Sequence, residues 1–233
     1  GSKFQLHIPY RRVPTQREIG RPQPPHTPTE KLSLQLLSHL HEALREGMAR
    51  PVPITDPVPR SASRFIHLFP VYKPEDLHQE KPRWCANLKP VNEDIANRPF
   101  KQRGGYQQIR KVAQPTDIMF GWDLRAMYHQ FPLHPHDQAR ESYLIPLSLT
   151  HTALSEAQQT PSTYRTHTIR GQECAEWRPT GLSFGNAASP ALAIDTYALL
   201  LSWLRTRGFR VITQVDDGRC LSHGGPTQAY IQM

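Results

Sequence analysis

Three aspartates, Asp123, Asp216 and Asp217, are the residues of this chain best suited to do chemistry. Asp123 follows a short apolar stretch, Ile118-Met119-Phe120-Gly121-Trp122, while Asp216 and Asp217 follow a second, Phe209 to Val215, and precede Gly218. Both stretches read as strands, the second turning back at the acidic pair. A hairpin laid beside a central strand would bring all three carboxylates within reach of one metal pair. Magnesium takes hard oxygen ligands, few of them from protein, and two such ions roughly 3.5–4 Å apart serve nucleotidyl transfer by sharpening a hydroxyl nucleophile and neutralising the leaving group. Asp-Gly is also a strong hairpin signal, so Val-Asp-Asp-Gly alone is better read as a plain turn. What gives it weight is its position after Asp123, with Leu182-Ser183-Phe184-Gly185-Asn186 between them.

The elements around these residues can be read coarsely. Gly1-Ser2 has the look of a cleavage scar, and residues 3–28 are Pro-rich and polar, an extended arm rather than a domain. Thr27-Pro28-Thr29-Glu30 marks a helix start, with Thr and Glu at capping-box spacing and Pro in the first turn. Leu32, Leu36, Leu40 and Leu44 then repeat every fourth residue as a packing face, and Gly47 can close the helix. Pro51 to Pro59 is a second Pro-rich connector, after which Phe65 to Tyr72 reads as a strand. Pro190 to Arg207 carries Leu192, Tyr197, Leu200, Leu201 and Leu204, a helix closed by Gly208. The Ser/Thr/Gln content of residues 147–177 points to a hairpin with an exposed insertion.

Composition lifts the case for a nucleic-acid partner without making it. The 233 residues carry 28 Lys+Arg against 20 Asp+Glu, a net charge of +8 that attracts phosphates at low salt. Basic stretches at Tyr10-Arg11-Arg12, Arg98 to Arg103 and Arg110-Lys111 suit a template groove. No apolar run approaches membrane-spanning length and no secretory signal is visible. Cys85, Cys174 and Cys220 form an odd set without zinc-like spacing and suit a reducing compartment, so an intracellular protein, cytoplasmic or nuclear, is expected. His134 and His136, beside prolines, read as loop histidines.

Four boxes in order carry a resemblance. Arg83-Trp84-Cys85-Ala86-Asn87-Leu88-Lys89-Pro90-Val91-Asn92 lies over the pattern Arg-x-x-x-Asp-x-Arg-x-Leu-Asn. Asp123-Leu124-Arg125-Ala126-Met127-Tyr128 follows Asp-Leu-x-x-Gly/Ala-Tyr, and Leu182 to Pro190 aligns without a gap to Leu-Pro-Phe-Gly-Leu-Thr-Asn-Ala-Pro. Gln214-Val215-Asp216-Asp217 matches the Tyr/Phe-x-Asp-Asp box. From Leu36 to Ser222 the chain resembles reverse transcriptases of retroelements, nearest in style to Ty3-like and tyrosine-recombinase (DIRS-like) retrotransposons.

The resemblance implies an α+β fold of the right-hand polymerase type: fingers and palm, with an antiparallel palm sheet packed against helices and no thumb. Residues 29–115 would be the fingers with the helix leading into them, and 116–233 the palm, incomplete at its C-terminus, with an insertion at 147–177. It implies an RNA-directed DNA polymerase, with Asp123, Asp216, Asp217 and the backbone carbonyl of Leu124 holding two Mg2+ ions, for which Mn2+ can substitute. Lys73 and Arg83 would fold over the triphosphate, Tyr128 would lie under the incoming sugar and reject a 2'-hydroxyl, and Phe184 and Gly185 would floor the nucleotide site. The implied partners are an RNA or DNA template with its primer and deoxynucleoside triphosphates, with no membrane. Gln214 departs from the family's aromatic residue near the primer terminus, Asn87 and Lys89 from the fingers Asp and Arg, and Ser183 from Pro. The alternative is a catalytically silent relative that binds nucleic acid or serves as a scaffold. A primed RNA-directed RNA polymerase, a third reading, is disfavoured by Tyr128.

Overall fold

The computed structural model describes residues 4–15, 23–26, 29–56, 65–76, 78, 80–96, 106–158 and 163–223. Gly1-Ser2, Thr27-Pro28, the last three residues of the Pro51 to Pro59 connector and all of the basic stretch Arg98 to Arg103 lie outside them. The protein is a mixed α+β chain with antiparallel sheets. It forms two units, Gly1–Asn97 with Tyr128–Ser189, and Arg98–Met127 with Pro190–Met233. The expected division at residue 115 is not the one observed, because the chain returns from the second unit to the first at Tyr128.

In the first unit, α1 (Glu30–Arg45) is capped by Thr29, whose hydroxyl accepts from the backbone N–H of Leu32 at 3.2 Å. Its fourfold leucine repeat is a packing face as expected, with Leu36, Leu40 and Leu44 buried. The chain then leaves the helix through Gly47 at φ +64. β1 (Ala49–Pro51), β5 (Tyr143–Pro146) and β6 (Thr166–Ile169) all pair with β7 (Gln172–Pro179). α5 (Leu147–Glu156) packs on α1. A separate hairpin joins β2 (Leu68–Val71) to β3 (Arg83–Ala86), followed by the short α2 (Lys89–Asn92). The N-terminal arm is extended, bridging Leu133 at Leu6 and Ile95 at Tyr10.

Residues 147–177, expected to be a hairpin with an exposed insertion, contain a hairpin: β6 and β7 pair antiparallel through a turn at Arg170-Gly171. The segment also holds α5 and most of β7, in which Ala175 and Trp177 are fully buried. Beside them Glu176 and Arg178, both buried, neutralise each other at 2.7 Å inside the sheet.

The second unit is built on a three-stranded sheet in the order β4 (Asp117–Asp123), β9 (Asp217–His223), β8 (Arg210–Gln214). α3 (Tyr106–Val112) packs against β8, and α6 (Ser189–Thr206) ends before Gly208 at φ +87. Arg210 joins the outer strands, donating to the Val112 carbonyl at 2.7 Å and to the Asp117 carboxylate at 2.8 Å.

Candidate active site

β8 and β9 meet in a two-residue loop, Gln214 facing Asp217 with Val215 and Asp216 between them. The Asp217-Gly218 pair, the strongest turn signal in this stretch, is therefore not the turn but the start of β9. Val215 takes φ +55 while Asp216 does not have positive φ, the pattern of a turn that favours Gly at its first central position. A β-branched residue with positive φ is an outlier, costing on the order of 1–3 kcal/mol where surroundings impose it. The β6–β7 hairpin meets a similar demand differently, with Arg170 at φ +53 and Gly171 at φ +80.

Two constraints hold this register. β4 runs antiparallel to β9 with Asp123 opposite Asp217, and the Leu124 N–H donates to the Asp216 carbonyl at 3.0 Å, extending the ladder to the turn. Gly218 faces Trp122, and a Cβ on Gly218 would lie 1.9 Å from Cε2 of the indole, so only glycine admits that ring. The Trp122 indole N–H donates to the Tyr197 hydroxyl at 3.0 Å, anchoring the strand to α6.

Asp123, Asp216 and Asp217 are all exposed. Cross-strand partners share a face of the sheet, so Asp123 and Asp217 stand on the same side, with Asp216 in the adjoining turn. Three hard carboxylates at one sheet end fit a divalent cation such as Mg2+ in donor chemistry. The Leu124 carbonyl, the fourth expected ligand, accepts from the Met127 N–H at 3.2 Å and keeps a second lone pair. Among the described residues no three His, Cys, Asp or Glu side chains are drawn into a cluster able to hold a metal ion. Like charges repel, and exposed aspartates reach other rotamers readily. Arg219 adds a cation on the same face, its Nη1 3.8 Å from Oδ1 of Asp217, in the space left by the missing side chain of Gly121. With Asp217 57% and Arg219 38% exposed, this ion pair is weak.

The expected nucleotide-binding residues all belong to the first unit. Lys73 and Arg83 are exposed and flank the β2–β3 connection, Arg83 opening β3 opposite Val71. Within it the Asp76 carboxylate accepts the N–H groups of Lys81 and Glu80, which keep its pKa below the usual range. Tyr128 is half-buried, its ring centroid 5.8 Å from that of Phe184, which is 75% exposed. Gly185 has φ +93. Ala126 has φ +49, while Met127, at the Gly/Ala position of the Asp-Leu box, is buried.

Sequence reasoning missed what holds the glycine loop. Asn92, the last residue of the fingers box, donates to the Gly185 carbonyl at 3.0 Å and accepts from the Ala187 N–H at 2.8 Å. Behind the loop, Asn186 donates to the fully buried Glu141, whose pKa burial raises to about 7 despite hydrogen bonds from Ser183 and Asn186. The Asn in each box was the available signal; Glu141 had none. The Lys89 N–H donates to the Asn87 side chain at 3.3 Å, and the Asn87 N–H to the His67 carbonyl at 2.8 Å. Arg11 and Arg12, expected in a template groove, instead tie down the N-terminal arm, Arg11 on the Glu93 carbonyl and Arg12 on buried Asp94 at 3.0 Å.

No helix among the described residues is long and apolar enough to cross a membrane. No family model matches the chain, and no curated protein matches it significantly.

Proposed function

We propose that this chain is the fingers and palm part of a retroelement reverse transcriptase, an RNA-directed DNA polymerase adding deoxynucleotides to a primer 3'-hydroxyl. The observation that carries the reading is the register of the β8–β9 hairpin. A hairpin serving the fold alone would turn at Asp217-Gly218, where turn residues are provided. The turn two residues earlier strains Val215 and sets Asp216 at the tip with Asp217 opposite Asp123. Strain of that kind is kept where it serves a site.

In this reading Asp123, Asp216, Asp217 and the Leu124 carbonyl hold two Mg2+ ions, with Mn2+ able to replace them. When bound, the ions activate the 3'-hydroxyl and neutralise the leaving pyrophosphate. Lys73 and Arg83 bind the triphosphate, where fixed cations stabilise charge developing in the transition state. Tyr128 selects deoxyribose, and Phe184 with Gly185 supports the nucleotide. The partners are then template, primer and deoxynucleotides, inside the cell. The silent-scaffold reading is favoured by two observations, Gln214 in place of an aromatic residue and Arg219 beside Asp217.

Extension of a labelled DNA primer on an RNA template, with Mg2+ and either deoxynucleotides or ribonucleotides, separates these readings. Deoxynucleotide incorporation that Asp216→Asn abolishes is the expected result. Ribonucleotide incorporation would move the assignment to an RNA polymerase. Tight RNA binding without incorporation by the wild-type chain would overturn the enzyme reading.

A further inference from the structure

Within the first unit, α1, β2, β3 and the Leu182-Phe184 segment enclose a cavity of about 220 Å³. Its walls are largely aromatic and apolar, and it holds two buried polar atoms without a partner, Nε1 of Trp84 and Nδ1 of His129. Buried donors and acceptors are nearly always satisfied, and one that is not calls for an explanation. The His39 and Trp84 rings both line the cavity, near parallel at 26° with centroids 6.4 Å apart. Burial holds His39 at a pKa of about 4 and lowers that of His129, so both imidazoles are neutral at pH 7. Apart from the exposed Glu42, the lining carries no charge, and its flat rings suit an aromatic occupant. The volume, below the roughly 300 Å³ at which drug-sized sites begin, restricts it to one or two fused rings.

We propose that this cavity binds a planar heterocycle of nucleobase size, which accepts a hydrogen bond from the indole N–H of Trp84 at its edge and packs against the other rings of the lining. A nucleobase has the required features, a π face and ring-nitrogen or carbonyl acceptors along one edge. Neither Lys73 nor Arg83 lines it, and it shares only Phe184 with the nucleotide-binding residues proposed above. It goes beyond the polymerase assignment and does not depend on it.

The test is titration of the full chain with adenosine, guanosine, cytidine and uridine in EDTA, followed by calorimetry. Nucleosides give Lys73 and Arg83 no phosphate to hold, and EDTA removes any contribution from metal. Saturable binding of one molecule per chain is expected, weakened about fivefold by Trp84→Phe, which keeps the ring and loses the N–H. Trp84→Ala, which removes the whole ring from the cavity wall, is expected to weaken it by tenfold or more, while Asp216→Asn leaves it unchanged. Circular dichroism on each variant separates lost binding from lost folding, and Trp84→Phe decides the matter should Trp84→Ala unfold. Absence of saturable binding at millimolar nucleoside, which would mean a merely hydrated void, overturns the proposal. So does binding indifferent to Trp84→Phe. Because primer extension is read with metal present, failure here and failure of the polymerase reading remain distinguishable.

Discussion

In the sheet of the first unit Glu176 is 2% exposed, and its oxygens take hydrogen bonds from Ser142, from two nitrogens of Arg178 and from His167. In the sheet of the second unit Asp123, Asp216 and Asp217 stand exposed at one end, with the weak Asp217–Arg219 pair beside them. A buried carboxylate survives only with its partners, because desolvation is costly. Exposed like charges gathered at a strained turn add nothing of that kind to the fold. The contrast separates acids retained for packing from acids retained for a ligand, and substitutions at the two sites should fail in different ways.

The largest effect is expected at Asp216→Asn. Primer extension should drop by about a thousandfold or more, equivalent to roughly 4 kcal/mol of transition-state stabilisation. Stability should stay within about 0.5 kcal/mol, as for other surface substitutions. An unfolded Asp216→Asn chain would remove the distinction between the two sheets. Glu176→Leu should do the reverse. It leaves the buried Arg178 guanidinium with the Asp56 carboxylate at 3.8 Å in place of its close partner, and urea denaturation should show a loss of about 3–5 kcal/mol. Pairing it with Arg178→Met, which removes both charges of the pair and leaves Asp56 to Arg50, should restore most of the loss; a double variant as unstable as the single one would mean that packing, not charge, was responsible.

The contrast also explains what the sequence made legible. α1 and α6 were readable because their signals are local: leucines at helical spacing, a Thr cap, a Gly beyond each end. β4, β8 and β9 followed from apolar runs that flank the acids. β7 was hidden, since Glu176 and Arg178 read as surface residues until each is seen to cancel the other. The hairpin was placed one residue late because Asp217-Gly218 is the better local turn, and only its pairing with β4 overrides it. Of the site, the acids and the glycine loop were visible as an ordered set. The struts that hold the loop, Asn92 and Glu141, were not, because contacts across 93 and 45 residues leave no spacing to read.

A smaller effect contrasts two glutamates of the same unit. Burial alone would raise Glu176, but the His167 hydrogen bond, the Arg178 charge and the Ser142 hydrogen bond outweigh it and bring the pKa to about 2. Its contribution is therefore present above the unfolded value near 4.5 and is lost as pH falls toward 2. Glu141, with no cation beside it, is raised to about 7 chiefly by burial. Between pH 4.5 and 7 the unfolded chain has released this proton while the fold keeps it, so stability falls as pH rises through that window. Each limb is on the order of 3 kcal/mol. His39, held at about 4 by burial, adds a rise in stability over nearly the same window, so the Glu141 limb is read by difference: Glu141→Gln should gain stability relative to the wild type progressively between pH 4.5 and 7 and match it below. A difference between the two that does not change with pH would assign the limb to another group.

The smallest effect is expected at Val215→Gly. Glycine takes φ +55 without strain, relieving on the order of 1–3 kcal/mol, but its freedom in the unfolded chain takes back roughly 0.5–1 kcal/mol. The net gain should be about 1 kcal/mol, read as a small rise in melting temperature. Extension activity distinguishes what fixes the register. If the Asp123–Asp217 pairing, the Leu124 hydrogen bond and the Trp122 ring over Gly218 hold it, the relaxed turn keeps Asp216 at the tip and activity survives. If Val215 itself enforces the turn, the hairpin can slip to the better local signal at Asp217-Gly218. That moves the turn two residues along the chain and places Asp217 inside it. Asp217 would then leave the face it shares with Asp123, and activity would be lost while stability rose.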